Sequence, residues 1–313
     1  MNLRRPCAAA AAILAASGAL AEPATVRADL SKGRVIPLQI EYTLDAEQLS
    51  PDGAASRKRI HQSAAIRFEV TDVAEDGSAV LRGAVERLTL QWSRDDEQGE
   101  FARPRVTADV PADTPVNAAL GALGAAMADA SIQLVVSPDG RVEAIRGLND
   151  VMLVLTDPAV RGEGPIPRLD ASALGVFGGR QFAAMASSAF TADGAGREPR
   201  DPGETWETNE SIPAPPAGSI LLDTLWTTAK VEPGAATFTA TPTLSLVPPP
   251  GDDPTAPRGQ IAEQTGSITM VWNLAENMLD ERRSEQRVVT DWSMAGMTLR
   301  QTQTSTMTIR RAD

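Results

Sequence analysis

Apolar and polar residues alternate along most of this chain with the two-residue period of half-buried strands. In "RVIPLQIEYTLDAEQL" (34–49) the apolar positions are 36, 38, 40 and 42. In "IRFEVTDV" (66–73) Ile66, Phe68 and Val70 share one face, with Arg67, Glu69 and Thr71 on the other. Asp76-Gly77 separates this run from "SAVLRGAVERLTLQW". An Asp-Gly pair between alternating runs predicts a hairpin with a type I′ turn. Counting back from that turn pairs Val73 with Val80, Phe68 with Val85 and Arg67 with Glu86. The apolar phase then slips, because Leu81 and Val85 are odd-numbered while Leu88, Leu90 and Trp92 are even. A strand changes face only through a bulge or a bend, so an irregularity is expected near Glu86 to Leu88.

A charged, proline-containing stretch (93–113) reads as a loop. In "TPVNAALGALGAAMADA" the period changes to that of a helix, with Thr114 as N-cap and Pro115 in the first helical position. Val116, Leu120, Leu123 and Met127 form its apolar face, and Gly121 and Gly124 would permit close packing on a sheet. "IQLVVSPDGRVEAIRG" is a second hairpin, whose Pro138-Asp139-Gly140 suits a type I turn closed by a glycine bulge. A short helix is expected near 149–156. Another begins at Asp170, carries Leu174, Phe177, Met185 and Phe190, and is interrupted at Gly178-Gly179. Arg180, Gln181 and the glycines favour a buried helix or helix pair there over a membrane span. Strands follow at about 219–231, 235–247, 263–274, 283–293 and 297–310, with a long loop at 248–260.

The N-terminus changes the picture from fold to destination. Arg4-Arg5, the apolar stretch Ala8 to Leu20 and the small residues of Ala19-Leu20-Ala21 have the layout of a secretory signal peptide, residues 1–21, cleaved after Ala21. Export to the periplasm or the extracellular space is the implied localisation, with no transmembrane segment in the mature chain. The single cysteine, Cys7, lies inside that signal, so the mature chain has no disulfide and no thiolate. The net charge is −12, and losing Arg4 and Arg5 with the signal takes it to about −14. Such an acidic chain is repelled by nucleic acid, which is excluded as a partner.

Candidate chemistry is sparse. The acidic Asp72-x-x-x-Asp76-Gly77 fails as an EF-hand, because Ala74 and Gly83 occupy its third and twelfth ligand positions. His61, the only histidine, sits among basic residues at the expected start of a strand and reads as a solvated side chain. The acidic clusters Asp95-Asp96-Glu97, Asp252-Asp253 and Asp280-Glu281 read as solvated turns. Weak calcium binding in a loop such as 95–100 is the less favoured reading of the first. No G-x-S-x-G, Walker or dinucleotide-binding pattern occurs. No catalytic, cofactor-binding or metal-binding residue is assigned, and no cofactor is expected. The five tryptophans (92, 206, 226, 272 and 292) read as core and rim packing, or more sharply as lining of an apolar ligand cavity.

"FEVTDVAEDGSAVLRGAVERL", "LVVSPDGRVEAIRGL" and "PGETWE" resemble, in that order, the landmarks of an uncharacterised family of exported bacterial proteins, a domain of unknown function. The likeness spans about 30–311 and implies architecture, not activity. In layout the chain is also similar to half-barrel carriers of lipoproteins and lipids, which implies a curved sheet around short helices. The expected fold is therefore mainly β, of α+β type: a curved antiparallel sheet or half-barrel with a few helices on its concave side. Residues 22–190 would supply N-terminal strands and central helices, 191–218 a connector, and 219–313 C-terminal antiparallel strands, with 22–313 one compact unit. The leading functional expectation is non-catalytic binding of an apolar small molecule or lipid in that sheet. A cell-envelope protein-interaction module without a small ligand is the alternative, and a carboxylate-based hydrolase stands third.

Overall fold

The computed structural model describes residues 26–104, 114–157, 160, 169, 171–191, 200–213, 218–249, 257–294 and 297–312. The expected signal peptide, Asp252-Asp253 and parts of the expected connector and of the 248–260 loop lie outside the described residues.

Among the described residues twelve antiparallel strands form one sheet: β1 (Val35–Leu49), β2 (Ala55–Val73), β3 (Ala79–Arg94), β4 (Glu97–Arg103), β5 (Ile132–Val136), β6 (Val142–Arg146), β7 (Thr205–Pro213), β8 (Ser219–Glu232), β9 (Ala235–Val247), β10 (Arg258–Asn273), β11 (Met278–Met294) and β12 (Met297–Arg311). Their order is β6-β5-β3-β2-β1-β12-β11-β10-β9-β8-β7, with β4 paired to β3. Beginning and end of the chain meet at the centre, where β1 pairs with β12 from Leu38↔Arg311 to Leu49↔Arg300. Two expectations are corrected here. The 93–113 loop contains β4, and the 191–218 connector contains β7. Both are edge strands with mixed polar sequences, and an edge strand needs no strict alternation to hold its ladder.

Among the described residues the helices longer than one residue are α1 (Pro115–Ala128), α2 (Asn149–Val154) and α3 (Gly179–Phe190), the last preceded by a 3-10 segment Ala171–Phe177. The Thr114 hydroxyl accepts a hydrogen bond from the Asn117 N–H and caps α1 as the sequence predicts. Val116, Leu120, Leu123 and Met127 are all buried. Gly124 lets the Phe101 ring of β4 seat on the helix, since a Cβ there would overlap the ring. Gly121 faces open space, so only one of the two glycines serves packing. The helix expected from Asp170 is divided, with Gly175 at φ 51° and Gly178 as the N-cap of α3.

The hairpin at Asp76-Gly77 is present, but its turn is not type I′. Only Gly77 has positive φ (86°), and the Ser78 N–H donates to the Asp76 carboxylate at 2.9 Å, fixing Asp76 on the ordinary side of φ. The Gly77 N–H bonds the Ala74 carbonyl and the Ala74 N–H bonds that of Ser78, a type I turn with a glycine bulge. Ser78 also holds the Asp76 carboxyl below its usual range. The turn moves the first pairs by one residue, so Val73 faces Ala79, and a second register shift between Val70 and Asp72 moves the rest by one more, so Phe68 faces Gly83 and Arg67 faces Ala84. The irregularity expected near Glu86 to Leu88 is there. Ala65 faces Arg87 while Ile66 faces Val85, which leaves Glu86 as the extra residue. The second hairpin turns as expected, with Gly140 at φ 85°.

Curvature follows from what α3 touches. It packs on both β6 and β11, which stand six places apart in the sheet order. Six steps in a flat sheet cover about 29 Å, whereas a 12-residue helix is only about 18 Å long. The sheet must therefore curl around the helix. Among the described residues it stays open, with β6 and β7 as the ends of its path. The Ser187 hydroxyl of α3 accepts the Val142 N–H of β6 at 2.9 Å, satisfying a donor at that edge.

One polar group fastens the interior. Gln62 of β2 is 1 % exposed; its carboxamide oxygen accepts the Val176 N–H at 2.8 Å, and its nitrogen donates to the Leu174 carbonyl at 3.5 Å. Gly175 leaves it room, because a Cβ there would collide with that carboxamide. Gln62→Leu is expected to lose about 2 kcal/mol by stranding a buried N–H. Urea unfolding checks this, and an unchanged midpoint would show that the bond adds nothing.

Candidate functional site

The concave face can be read off the ladder. One row of facing residues runs Trp206–Trp226–Ala240–Ile268–Ser284–Met307–Tyr42–Gln62–Leu90 across nine strands, β7 to β3. Its two halves differ in cover. Over β1–β3 the face is filled by Leu120, Leu123, Met127, Phe177 and Phe182, all buried in one apolar core. Over β7–β12 a groove of about 520 Å³ remains between α3 and the sheet.

Its floor is Leu222, Thr224, Ile268, Arg282 and Met307, and α3 contributes Gln181, Ala183, Ala184, Met185 and Ser187. Thr208 and Glu210 of β7 stand on one side, Arg141 and Val142 next to β6 on the other. The two end strands of the sheet's path thus border one groove. The amphipathic face of α3 explains the lining. Phe182, Met185 and Ala186 are buried, while Gln181 and Ala184 are exposed. Burial pushes the Tyr42 phenol, beside Met307 in the row, above its usual range, and a hydrogen bond with Gln181 partly offsets this.

The apolar lining continues along the strands, because Leu222 faces Leu244 and Ile220 faces Leu246. Beyond Ala240↔Ile268 the ladder between β9 and β10 stops. Pro242 has no N–H to offer there. The Gln264 carboxamide bridges the gap instead, accepting from the Leu244 N–H at 2.7 Å and donating to its carbonyl at 3.2 Å. At the level of Trp226 lies a stack: Arg200 over Trp206, Trp206 parallel to Trp226 with centroids 6.0 Å apart, and Arg282 over Trp226 at 5.9 Å. Trp206 lies in β7. Trp92, Trp226 and Trp272 are buried core residues, the plainer of the two readings, and no tryptophan lines this groove.

His61 is not at a strand start. It lies in mid-β2, half-buried, with Nδ1 3.2 Å from the Thr43 hydroxyl. It borders a separate cleft of about 480 Å³ with Arg59, Gln91, Glu100 and Asn117, where Arg59 is paired with Asp45. One residue of each described acidic cluster is structural. Asp95, at φ 51° in the β3–β4 hairpin, accepts from Ser56 Oγ and the Arg57 N–H. Asp280 pairs with Arg311 at 3.5 Å. Because 97–103 is a strand, the 95–100 calcium loop does not exist as drawn. Among the described residues no three His, Cys, Asp or Glu side chains gather as metal ligands, and no helix is long and apolar enough to cross a membrane. The groove residues Leu222, Ile268, Arg282 and Met307 were not singled out by sequence. Their only signal is membership of alternating strands.

No protein-family model matches the chain, and no curated protein matches it. The resemblance to an exported family is therefore not corroborated. Among solved structures the chain is similar to lipovitellin, in a structure of its lipid–protein interactions, with 10% identity over 91% of this chain and a TM-score of 0.43. The chain spans 26% of that lipovitellin chain. It is also similar to Pseudomonas aeruginosa OpdQ (8% identity, 89% of this chain and 99% of that one, TM-score 0.26) and OccK7 (OpdD) (8%, 90% and 100%, TM-score 0.25). Scores this low identify neither a ligand nor an activity.

Proposed function

We propose that the protein is an exported binding protein that holds an apolar or lipid-like molecule in the groove between α3 and β7–β12. The observation that supports this is the unequal cover of one continuous concave face. Its N-terminal half is sealed by the protein's own Leu120, Leu123 and Phe177, while Leu222, Ile268 and Met307 floor an open groove. About 520 Å³ falls within the roughly 300–1,000 Å³ of small-molecule sites. Burial of apolar surface supplies the driving force, about 25 cal/mol per Å² removed from water. Export rests on the signal-like Arg4-Arg5, Ala8 to Leu20 and Ala19-Leu20-Ala21.

Ala184 is an exposed α3 residue in the groove wall, so its substitution fills the site without entering the core. Titration with the uncharged dye Nile red should show saturable blue-shifted emission for the native protein. Ala184→Trp is expected to weaken it by tenfold or more, with unfolding unchanged. Equal titration curves for both proteins would place the dye elsewhere and remove the support for this groove.

A further inference from the structure

Resting on the groove reading above, we propose that its ligand is an uncharged amphiphile, whose hydroxyl or carbonyl head is received by the Thr224 hydroxyl. The groove lining carries the charges of Arg141, Glu210 and Arg282, and each is met by the protein or by water. Arg282 stacks on Trp226 and is engaged within the protein. Arg141 pairs with Asp139 at 4.0 Å. Glu210 is exposed on β7, where solvent screens its pull on a cation. An ionic head would enter a partly desolvated cleft without a counter-charge, at a cost that a neutral head escapes.

The strands sort their polar residues in the same sense. Along β11 the inward Ser284, Gln286 and Val288 alternate with the outward Arg283, Glu285 and Arg287. On β12 the inward Gln303 and Ser305 are likewise uncharged, while the outward Arg300 and Arg310 pair with Glu263 and Glu41. Charge is held in ion pairs on the convex side, and hydroxyls and carboxamides face in. Such a face hydrogen-bonds a ligand without calling for a charge on it.

Thr224 marks the place of the head. It is 6 % exposed and lines the groove, and among the described residues its hydroxyl has no hydrogen-bond partner. A buried polar group left unpaired is costly, and a bound hydroxyl or carbonyl oxygen removes that cost. Across the ladder stands Thr208, whose hydroxyl accepts from Trp226 Nε1 at 3.3 Å and keeps its own proton to donate. Gln181 of α3 adds a carboxamide to the same lining. Leu222, Ile268 and Met307 are left for the apolar chain.

Isothermal titration of the full chain at neutral pH with decan-1-ol, decan-2-one, decanoate and decylammonium, each below its aggregation concentration, tests this. At least one neutral probe should bind about tenfold or more tightly than either ion. The better neutral probe tells a hydroxyl head from a carbonyl one. Thr224→Val keeps the side-chain shape and removes the hydroxyl. It should weaken that neutral probe about fivefold, the size of one hydrogen bond, and leave the ions as they were. Thr224→Ser keeps the hydroxyl and should bind the neutral probe as the native chain does. An ion bound as tightly as the neutral probes would overturn the uncharged head but keep the apolar groove. Unchanged neutral binding in Thr224→Val, or equal losses for all probes, would overturn the contact with Thr224. No binding of any probe would overturn head and groove together.

Discussion

Phe68→Ala is expected to lower the unfolding free energy by about 4 kcal/mol, among the larger losses a single core truncation produces. Phe68 is fully buried on the concave face of β2, where its ring meets Phe182 edge-on at 6.4 Å and Phe190 at 6.1 Å. Across the ladder stands Gly83, which has no side chain to move into the gap; a Cβ there would lie 2.6 Å from the Phe68 ring. The cavity would persist, and with it the cost of lost contacts. Because Phe182 and Phe190 belong to α3, the loss also loosens the helix that forms one groove wall. Urea unfolding at constant m-value reads the change, and a loss below about 1 kcal/mol would mean that α3 is held by something other than this aromatic contact.

Gly147→Ala is expected to cost about 3 kcal/mol. Gly147 has φ 88°, and an added Cβ would overlap the carbonyl oxygen of Ser131. That atom is backbone at the entrance to β5, so it cannot rotate aside as a side-chain tip would. Strained dihedral and overlap therefore add. Gly121→Ala on α1 is the matched control: it meets open space, and alanine in a helix interior is favoured over glycine by up to about 1 kcal/mol. A thermal or urea series on both variants should show opposite signs. Two similar losses would contradict the geometry at both sites.

The parts of the fold that sequence reveals are those written locally. Alternation at 36, 38, 40 and 42 marks the buried face of β1, and Thr114-Pro115 marks the start of α1. The phase slip between Val85 and Leu88 locates the Glu86 bulge because burial on one face forbids any other solution. Local chemistry misleads where a side chain decides the backbone. Asp76 bonds to Ser78, which turns an expected type I′ loop into a type I turn with a glycine bulge and moves the pairs by one residue, to which the register shift between Val70 and Asp72 adds another. The edge strands β4 and β7 are invisible for a different reason: their ladders are held by one neighbour only, and polar, charged sequences suffice. The pairing of β1 with β12, some 260 residues apart, leaves no local trace. The candidate site shares that property. Leu222, Ile268, Arg282 and Met307 become neighbours only when β8, β10, β11 and β12 are laid side by side, and periodicity alone does not tell which half of a concave face the helices will cover.

The proposal that the groove beside the sealed half holds a ligand is tested most directly by native mass spectrometry of the intact protein after incubation with a total lipid extract of the expressing cells. The expected spectrum contains, besides the free protein, a species heavier by the mass of one small amphiphile. That species should be released by mild activation and depleted in Ala184→Trp. A spectrum of the free protein alone, for native and variant chains alike, would contradict the account.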